Sequence, residues 1–563
     1  MLYTSQGFAY VGVNVRGTGC SGGSYRFFET AQSVDGYDVI EAVAAQPWVK
    51  DHEVGMVGIS YPGISQLFVA ATQPPSLNSI TPLSVIDDSF RGTLYPGWIL
   101  NTGFAVEWVD RVTSKAVPYG QEWTQDRADE GDTVCADNQL LRLQNPDLLA
   151  MIDENPYYDP VLADPLAPLT FVDQIEVPVF LAGAWQDEQT GGHFPVMIHE
   201  ITSSPHVYVN LVNGLHSEAL SPVMDQRYFE FLQLYVGKKV PSVAFANMLT
   251  PVLGSAIWGV GSFAPLTDRF EGDTYEQALA EFESEPPVRV LFEQGGNDDY
   301  AAGTPEPNFV AEFSAWPIPE AEAHAWNLTG NGALVDDASA GSGESSYVAD
   351  PGALPATFYE GDSTSIWRAD VNYEWSPLAA GKGLGFITPS LAADTVVIGS
   401  GSVDLWIKSS AADTDLEVTI SEVRADGTEI YVQSGWLRAS QRALDEAAST
   451  PLRPVHTHQQ ADAADLPAGE FTPVRVELFP FAHPFRAGSR IRLTIDAPGN
   501  NRPVWEFRTI SAGETVTVAH DTQHPSQLVL SIVPIPVGAP APAACGALRG
   551  QPCRTYVPAA NGG

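Results

Sequence analysis

Short apolar runs alternate with helical patterns along the first 240 residues. Runs of valine, isoleucine, leucine and aromatic residues predict buried strands, and stretches with helical spacing of apolar positions lie between them. This alternation is typical of an α/β domain with a parallel sheet and crossover helices. The predicted strands are FAYVGVNV (8–15), VGMVGIS (54–60), SITPLSVI (79–86), VPVFLAGAW (177–185) and HVYVNLV (206–212), and the predicted helices cover 34–45, 64–72 and 224–236.

Residues 88–172 interrupt this rhythm. The segment is rich in tryptophan, tyrosine, leucine and glutamine, and its pattern is helical. Because it is inserted between two sheet strands on their carboxyl side, we expect a helical cap over a functional site. The α/β domain then comprises residues 1–87 and 173–240.

The pattern changes to short β-type runs from residue 287 onward. Glycine, proline and Asp-Gly turns separate these runs, and Asp426-Gly427 between two alternating stretches predicts a hairpin. We therefore expect an antiparallel β-sandwich of jelly-roll type over 287–537, joined to the first domain by a connector at 241–286. The remaining residues, 538–563, are rich in proline, alanine and glycine and are expected to pack little.

The charge balance is strongly acidic. The chain has 28 lysines and arginines against 69 aspartates and glutamates, for a net charge of −41. Such a surface repels phosphate backbones and anionic lipid, so nucleic-acid and membrane-surface partners are not expected. We expect a monomer or a homodimer.

Four cysteines suggest disulfides rather than metal binding. No pair has the C-x-x-C spacing of a zinc site. Cys545 and Cys553 enclose seven residues, which suits a small disulfide loop, and Cys20 would then pair with Cys135, although four cysteines allow three connectivities. Disulfides favour a secreted protein, with a cytoplasmic location as the alternative because the first residues do not have the pattern of a signal peptide.

The strongest chemical signal is Gly58-Ile59-Ser60-Tyr61-Pro62-Gly63, which lies directly after a predicted strand and before a helix. A serine on such a tight strand-to-helix turn exposes its hydroxyl at the carboxyl edge of the sheet. The Tyr61 N–H at the start of the helix is placed to stabilise an oxyanion. Ser60 is therefore the candidate nucleophile of a serine hydrolase.

A serine nucleophile needs a histidine base and an orienting carboxylate. Asp187 follows the predicted strand 177–185, and His216 follows the strand 206–212. The chain order serine, acid, histidine is that of α/β-hydrolases. The alternatives are Glu188, Asp87 and Asp88 for the acid, and His193, His199 and His206 for the base.

At these motifs the sequence resembles the cocaine esterase and X-Pro dipeptidyl-peptidase-like hydrolases, the CocE/NonD family. The resemblance rests on Arg16-Gly17-Thr18-Gly19, the Ser60 turn, Gly183-Ala184-Trp185-Gln186-Asp187 and the region around His216, and it extends into the β-rich half. It implies an α/β hydrolase fold with an inserted helical cap and a C-terminal jelly roll. It assigns Ser60, Asp187 and His216 as nucleophile, acid and base, and the Tyr61 N–H as one oxyanion donor.

The same resemblance implies a tyrosine hydroxyl from an early strand as the second oxyanion donor. No matching segment precedes Arg16 in this sequence. We therefore expect that an N-terminal part is missing, that it carries the tyrosine and a signal peptide, and that activity without it is impaired.

The expected function is hydrolysis of carboxylic esters or amides through an acyl-enzyme, as in a carboxylesterase. An X-Pro dipeptidyl aminopeptidase or an acylase is the alternative, with Glu107 or Asp110 as candidates for holding a substrate amine. A non-catalytic carbohydrate- or partner-binding protein is the alternative from another class. The substrate would be a small ester or short peptide, no metal or cofactor is implied, and Trp98, Trp108 and Trp123 either line the acyl pocket or only hold the cap together.

Overall fold

The first domain of the protein is built on a six-stranded sheet. The computed structural model describes residues 3–337, 343–355, 357–359, 365–499, 504–535 and 541–559. The strands of this sheet are β1 (Val54–Ile59), β2 (Leu77–Leu83), β3 (Val179–Ala184), β4 (Val207–Val212), β5 (Val288–Phe292) and β6 (Phe309–Phe313). They lie in the order β1 to β6, and all are parallel except β6.

Helices cover both faces of this sheet. The flanking helices are α1 (Thr30–Ala44) and α2 (Tyr61–Ala70) on one side and α8 (Pro222–Phe231) on the other. Along β3, Val179 and Leu181 belong to one apolar cluster and Phe180 and Ala182 to another. Because the two faces of a strand alternate, this explains why the run is apolar at every position.

The structure corrects two expectations for this domain. The run VRVLF, assigned to a sandwich domain beginning at 287, is β5, and its Val288 pairs in parallel with Val209 of β4. A fully buried parallel strand and a sandwich strand have the same short apolar pattern.

The run 8–15, predicted as a strand, has irregular structure instead. Its residues Tyr10, Val11 and Val13 are exposed. The run stands beside β1, the edge strand, and helps to line a cavity of about 1230 Å³ there. Strand formation needs a partner within hydrogen-bonding distance, and across this cavity the run does not pair with β1.

The segment 88–172 is helical. Its helices are α3 (Phe104–Lys115), α4 (Glu122–Asp129), α5 (Thr133–Leu140), α6 (Leu148–Glu154) and α7 (Pro160–Ala163). They enclose an apolar cluster that includes Leu94, Val109 and Ile152. A disulfide between Cys20 and Cys135 fixes α5 to the loop that precedes α1.

The region 241–286 contains α9 (Ala244–Ile257) and α10 (Tyr275–Ser284). No helix among the residues that the structure describes is long and apolar enough to cross a membrane.

The second half is an antiparallel two-sheet domain, which confirms the predicted fold class. Its strands are β7 (Glu322–Leu328), β8 (Leu334–Val335), β9 (Glu344–Val348), β10 (Gly383–Ile387), β11 (Thr395–Ser409), β12 (Asp415–Val423), β13 (Thr428–Arg438), β14 (Thr472–Phe485), β15 (Arg490–Asp496), β16 (Thr515–Ala519), β17 (Gln527–Val533) and β18 (Cys553–Thr555). One sheet has the order β10-β15-β12-β13-β18 and the other β8-β7-β17-β11-β16-β9, with β14 paired to β11. Asp426-Gly427 joins β12 to β13 as predicted.

The prediction that the tail 538–563 packs little is wrong for the part the structure describes. A disulfide joins Cys545 to Cys553, and β18 adds an edge strand to β13. Between the cysteines, the Arg549 side chain is fully buried against Glu218 of the first domain. The proline and alanine content of the tail predicted that it is solvated. The buried ion pair depends on one residue of the tail, Arg549, and composition does not reveal the effect of a single arginine.

Candidate active site

Ser60 occupies the turn between β1 and α2 with a strained backbone. Its φ of 63° and ψ of −132° lie outside the regions that L-residues normally adopt. A Cβ on Gly63 would lie 2.5 Å from the carbonyl oxygen of Leu83, so only glycine allows α2 to approach β2 this closely. This explains why a glycine is required even though Pro62 occupies the second glycine position of the usual motif.

The serine turn is joined to the histidine loop through the end of β2. The Ser60 N–H donates to the Leu83 carbonyl at 2.9 Å. The next residue, Ser84, donates its hydroxyl to the carbonyl of His216 at 3.0 Å. Ser60 and His216 therefore lie on the two sides of one strand end, at the carboxyl edge of the sheet.

Asp187 holds the ring of His216. Nδ1 of His216 lies 2.8 Å from Oδ2 and 3.0 Å from Oδ1 of Asp187. The carboxylate also accepts the N–H groups of Gln189 and Thr190 and the Thr190 hydroxyl. These hydrogen bonds fix Asp187 beside Nδ1 of His216, and they place Nε2 at the other end of the ring for proton transfer.

The charges of this pair stabilise each other despite burial. Burial disfavours the imidazolium, but the charge and hydrogen bond of Asp187 outweigh it and raise the pKa of His216. Burial likewise opposes ionisation of Asp187, yet the contact with His216 keeps the pKa of that carboxyl below its ordinary value.

Glu188, the alternative acid, contacts the main chain of the histidine. Its Oε2 accepts the His216 N–H at 2.9 Å, and its Oε1 accepts the Trp367 indole N–H at 2.8 Å. Burial and the neighbouring Asp187 charge raise the pKa of Glu188. Sequence reasoning did not predict this arrangement, because Trp367 follows Glu188 by 179 residues.

The remaining alternatives make other contacts. Asp87 contacts His193 at 2.8 Å, and Asp88 caps the turn that follows it and pairs with Arg91. His206 lies at the start of β4, at the opposite edge of the sheet. His199 is largely exposed and pairs with its neighbour Glu200.

Tyr61 supplies a backbone donor beside Ser60, the candidate nucleophile. It is the first residue of α2, so its N–H has no acceptor within the helix. The helix dipole adds positive potential at this point. The phenol of Tyr61 is used elsewhere: it donates to Gln32 at 2.8 Å, and burial raises its pKa to about 12.

A cavity of about 370 Å³ opens onto Ser60 beneath the cap. Its wall is predominantly apolar. Trp108 lines it, stacked on Tyr61 with ring centroids 5.9 Å apart. Further lining residues are Phe28, Ile64, Ile86, Phe90, Leu148 and Ile152.

The other two predicted pocket tryptophans lie elsewhere. Trp98 is buried in the cap, between Tyr95 and His458, and donates its indole N–H to Pro156. Trp123 is 42% exposed on the outer surface. Trp98 therefore holds the cap together, and Trp108 alone of the three lines the cavity. No group of three or more potential metal ligands occurs among the residues that the structure describes.

Two family profiles match this chain. The X-Pro dipeptidyl-peptidase (S15 family) profile matches residues 2–218, and the X-Pro dipeptidyl-peptidase C-terminal non-catalytic domain matches residues 280–529. Cocaine esterase from Rhodococcus sp. (strain MB1 Bresler) is 22% identical over 570 residues, covering 94% of this chain and 89% of the esterase.

Solved structures share the fold. A CocE/NonD family hydrolase from Staphylococcus aureus has a TM-score of 0.66 at 20% identity, covering 92% of this chain and 78% of its own. An aminopeptidase from the marine sediment archaeon Thaumarchaeota archaeon has a TM-score of 0.62 at 15% identity, and the match covers 92% of this chain and 84% of the aminopeptidase chain. With both family profiles matched in order and the fold shared along nearly the whole chain, this protein belongs to the CocE/NonD family of serine hydrolases, which act on ester or amide bonds.

Proposed function

We propose that the protein is a carboxylesterase for esters with a bulky apolar acyl group, with Ser60 as nucleophile, His216 as base and Asp187 as the orienting acid. The observation that carries this proposal is the apolar cavity of about 370 Å³ that opens directly onto Ser60. An apolar wall favours an acyl chain or ring without charge, because an unpaired charge there would lose its hydration.

The geometry supports acyl transfer in two steps. The Ser60 hydroxyl oxygen attacks the ester carbonyl while Nε2 of His216 takes its proton, and the oxyanion forms next to the Tyr61 N–H. Collapse of this intermediate breaks the ester C–O bond, and the imidazolium gives its proton to the departing alcohol. Water then attacks the acyl-enzyme through the same histidine, releasing the acid and restoring the Ser60 hydroxyl.

The charges of the cap favour an esterase over an aminopeptidase. Glu107 and Asp110, the candidates for holding a substrate amine, are exposed on the outer face of α3, whereas Trp108 and Val109 of that helix line the cavity. The acidic residues that line it are Glu29 and Asp159. Asp159 is exposed and already accepts the N–H of Val161 as a helix cap.

An aminopeptidase is the second candidate because Glu29 places a carboxyl group at the cavity. This glutamate is half-buried there, and burial raises the pKa of its carboxyl. Arg26 lies three residues before it and lines the same cavity, which weakens the attraction of this wall for a substrate ammonium group.

A side-by-side assay distinguishes the candidates. We expect hydrolysis of p-nitrophenyl butyrate and benzoate, with much weaker release of p-nitroaniline from Gly-Pro-p-nitroanilide. A preference for the dipeptide anilide that is lost in Glu29→Gln would overturn the esterase assignment in favour of the aminopeptidase. No turnover of any of the three substrates, with a Ser60→Ala variant as the blank, would support the non-catalytic binding protein.

The two disulfides support a working location in an oxidising compartment, as secretion would provide. We expect no free thiol in the folded protein isolated from its natural source. Four titratable thiols there would contradict export.

A further inference from the structure

The loop that carries His216 is contacted by a segment from the far end of the chain. We define residues 213–218 as the histidine loop and residues 545–553, closed by the Cys545–Cys553 disulfide, as the C-terminal loop. Asn213 donates its side-chain amide to the carbonyl of Arg549 at 3.2 Å. A Cβ on Gly550 would lie 3.1 Å from Cα of Gly214, so the two loops pack backbone against backbone.

A buried ion pair joins the two loops. Arg549 donates from Nε at 2.9 Å and from Nη2 at 2.7 Å to Oε1 of Glu218. The exposed fraction of the side chain is 1% for Arg549 and 0% for Glu218. Because removing one partner leaves the other charge buried and uncompensated, this pair strongly favours the docked position of the C-terminal loop.

The same guanidinium is also connected to His216 by a second, indirect path through Trp367 and Glu188. Arg549 donates to the main-chain carbonyls of Trp367 and Arg368 at 2.8 and 2.9 Å. The indole of Trp367 in turn donates to Glu188. Glu188 accepts the main-chain N–H of His216.

Two paths of contacts therefore connect Arg549 to the main chain around His216. One path runs from Arg549 through Glu218, two residues after His216, and the other runs through Trp367 and Glu188 to the His216 N–H. We propose that the C-terminal loop is a positioning element for His216, with Arg549 as its central residue and Trp367 and Glu188 as its second arm. This proposal rests on the proposed role of His216 as the base.

A positioning element matters here because a general base needs a precise location. A general base must stay within hydrogen-bond reach of the serine, and a displacement of about 1 Å can cost on the order of 10² in rate. Loops at a sheet edge are mobile unless side chains pack them. The C-terminal loop lies beyond residue 529, where the match to the family's C-terminal domain ends, so these contacts come from residues outside the matched region.

The test is the Arg549→Met variant, assayed with p-nitrophenyl butyrate. We expect kcat to fall on the order of 10²-fold with KM little changed, because both chemical steps use His216 while the substrate cavity is untouched. The matched control is Arg438→Met, which removes a bidentate pair with Asp415 inside the β-sandwich. The control is expected to lower the unfolding temperature while kcat per folded molecule stays at the wild-type value.

Two further variants keep the outcome decisive. If Arg549→Met does not fold, Trp367→Phe replaces the indole by a smaller phenyl ring and removes the N–H that Glu188 accepts. This variant is expected to lower kcat by less, with KM unchanged. Wild-type kcat in folded Arg549→Met, or in Trp367→Phe where the first variant is not obtained, would overturn the positioning role. Ser60→Ala separates the two claims, because turnover that persists in that variant contradicts the proposed function itself, whatever Arg549 does.

Discussion

The main-chain N–H of His216 donates to Oε2 of Glu188 at 2.9 Å, while the ring of the same histidine donates to Asp187. Two adjacent carboxylates thus hold one residue from two directions. Asp187 fixes the tautomer and orientation of the ring, and Glu188 fixes the backbone that carries it. The negative charges of both raise the pKa of His216 against the opposing effect of burial.

The acidic limb of the pH profile is predicted to move when Glu188 is neutralised. His216 must be neutral to accept the serine proton, so kcat/KM rises with pH through the pKa of His216. Glu188→Gln keeps an acceptor for the backbone N–H but removes a charge that favours the imidazolium. We therefore expect the acidic limb to move to lower pH than in the wild type. An unchanged or upward-shifted limb in the pH profile of ester hydrolysis would contradict this electrostatic role.

Asp187→Asn is predicted to reduce kcat by about 10⁴-fold, because an amide cannot hold the imidazole in the required tautomer. The unfolding temperature, followed by circular dichroism, serves as the control for folding. A folded Asp187→Asn variant with kcat within tenfold of the wild type would show that another carboxylate serves as the acid.

Trp108 is predicted to select bulky acyl groups. Trp108→Ala removes a stacking partner of Tyr61 from the cavity wall, and the lost contact corresponds to roughly a tenfold rise in KM for an aryl ester. A short acetyl ester should be affected less. Trp123→Ala, at an exposed position, is the matched control and should leave both esters unaffected. Equal effects of the two variants on KM for the aryl ester would contradict a role of Trp108 in binding the acyl group.

A buried histidine joins the α/β domain to the β-sandwich. His193 contacts Asp87 at 2.8 Å and Glu477 of β14 at 3.2 Å. Burial disfavours its charge, but the two carboxylates outweigh burial and raise its pKa to about 10.

Because its pKa is raised, His193 is expected to stabilise the folded protein at low pH and to lose this effect as pH rises. The contribution of His193 is fully present below its unfolded pKa of about 6.5 and is lost as pH rises toward about 10. The difference in unfolding temperature between the wild type and His193→Asn should therefore shrink over that range. His199→Asn, at an exposed pair with Glu200, is the control for replacing a histidine at the protein surface. If the difference in unfolding temperature between the wild type and His193→Asn stays constant with pH, the imidazole is not charged in the folded protein.

The candidate site could be predicted from sequence because its residues follow strand ends. Ser60, Asp187 and His216 each come within a few residues after an apolar strand, and parallel strands bring their carboxyl ends to one edge. Local pattern was sufficient to propose these three residues, but it did not separate Asp187 from Glu188, Asp87 and Asp88, which also follow strand ends.

Other features depend on contacts that no local pattern encodes. Arg549 and Glu218 are 331 residues apart, and nothing in either neighbourhood predicts their pairing. The predicted domain boundary at 287 is wrong because β5 has the same apolar pattern whether it joins a parallel sheet or a sandwich. Trp98 and Trp123 are sequence neighbours of Trp108 in the cap, but helix packing, which sequence spacing does not fix, decides which of the three faces the cavity.

Labelling by a fluorophosphonate is the most direct test of Ser60 as the nucleophile. The reagent transfers its phosphonyl group to an activated serine oxygen and releases fluoride, and peptide mass mapping locates the adduct. We predict one adduct on Ser60, loss of ester hydrolysis in proportion to labelling, and no adduct and no hydrolysis in Ser60→Ala. An adduct on a different serine, or wild-type hydrolysis by Ser60→Ala, would contradict the assignment of Ser60 as the nucleophile.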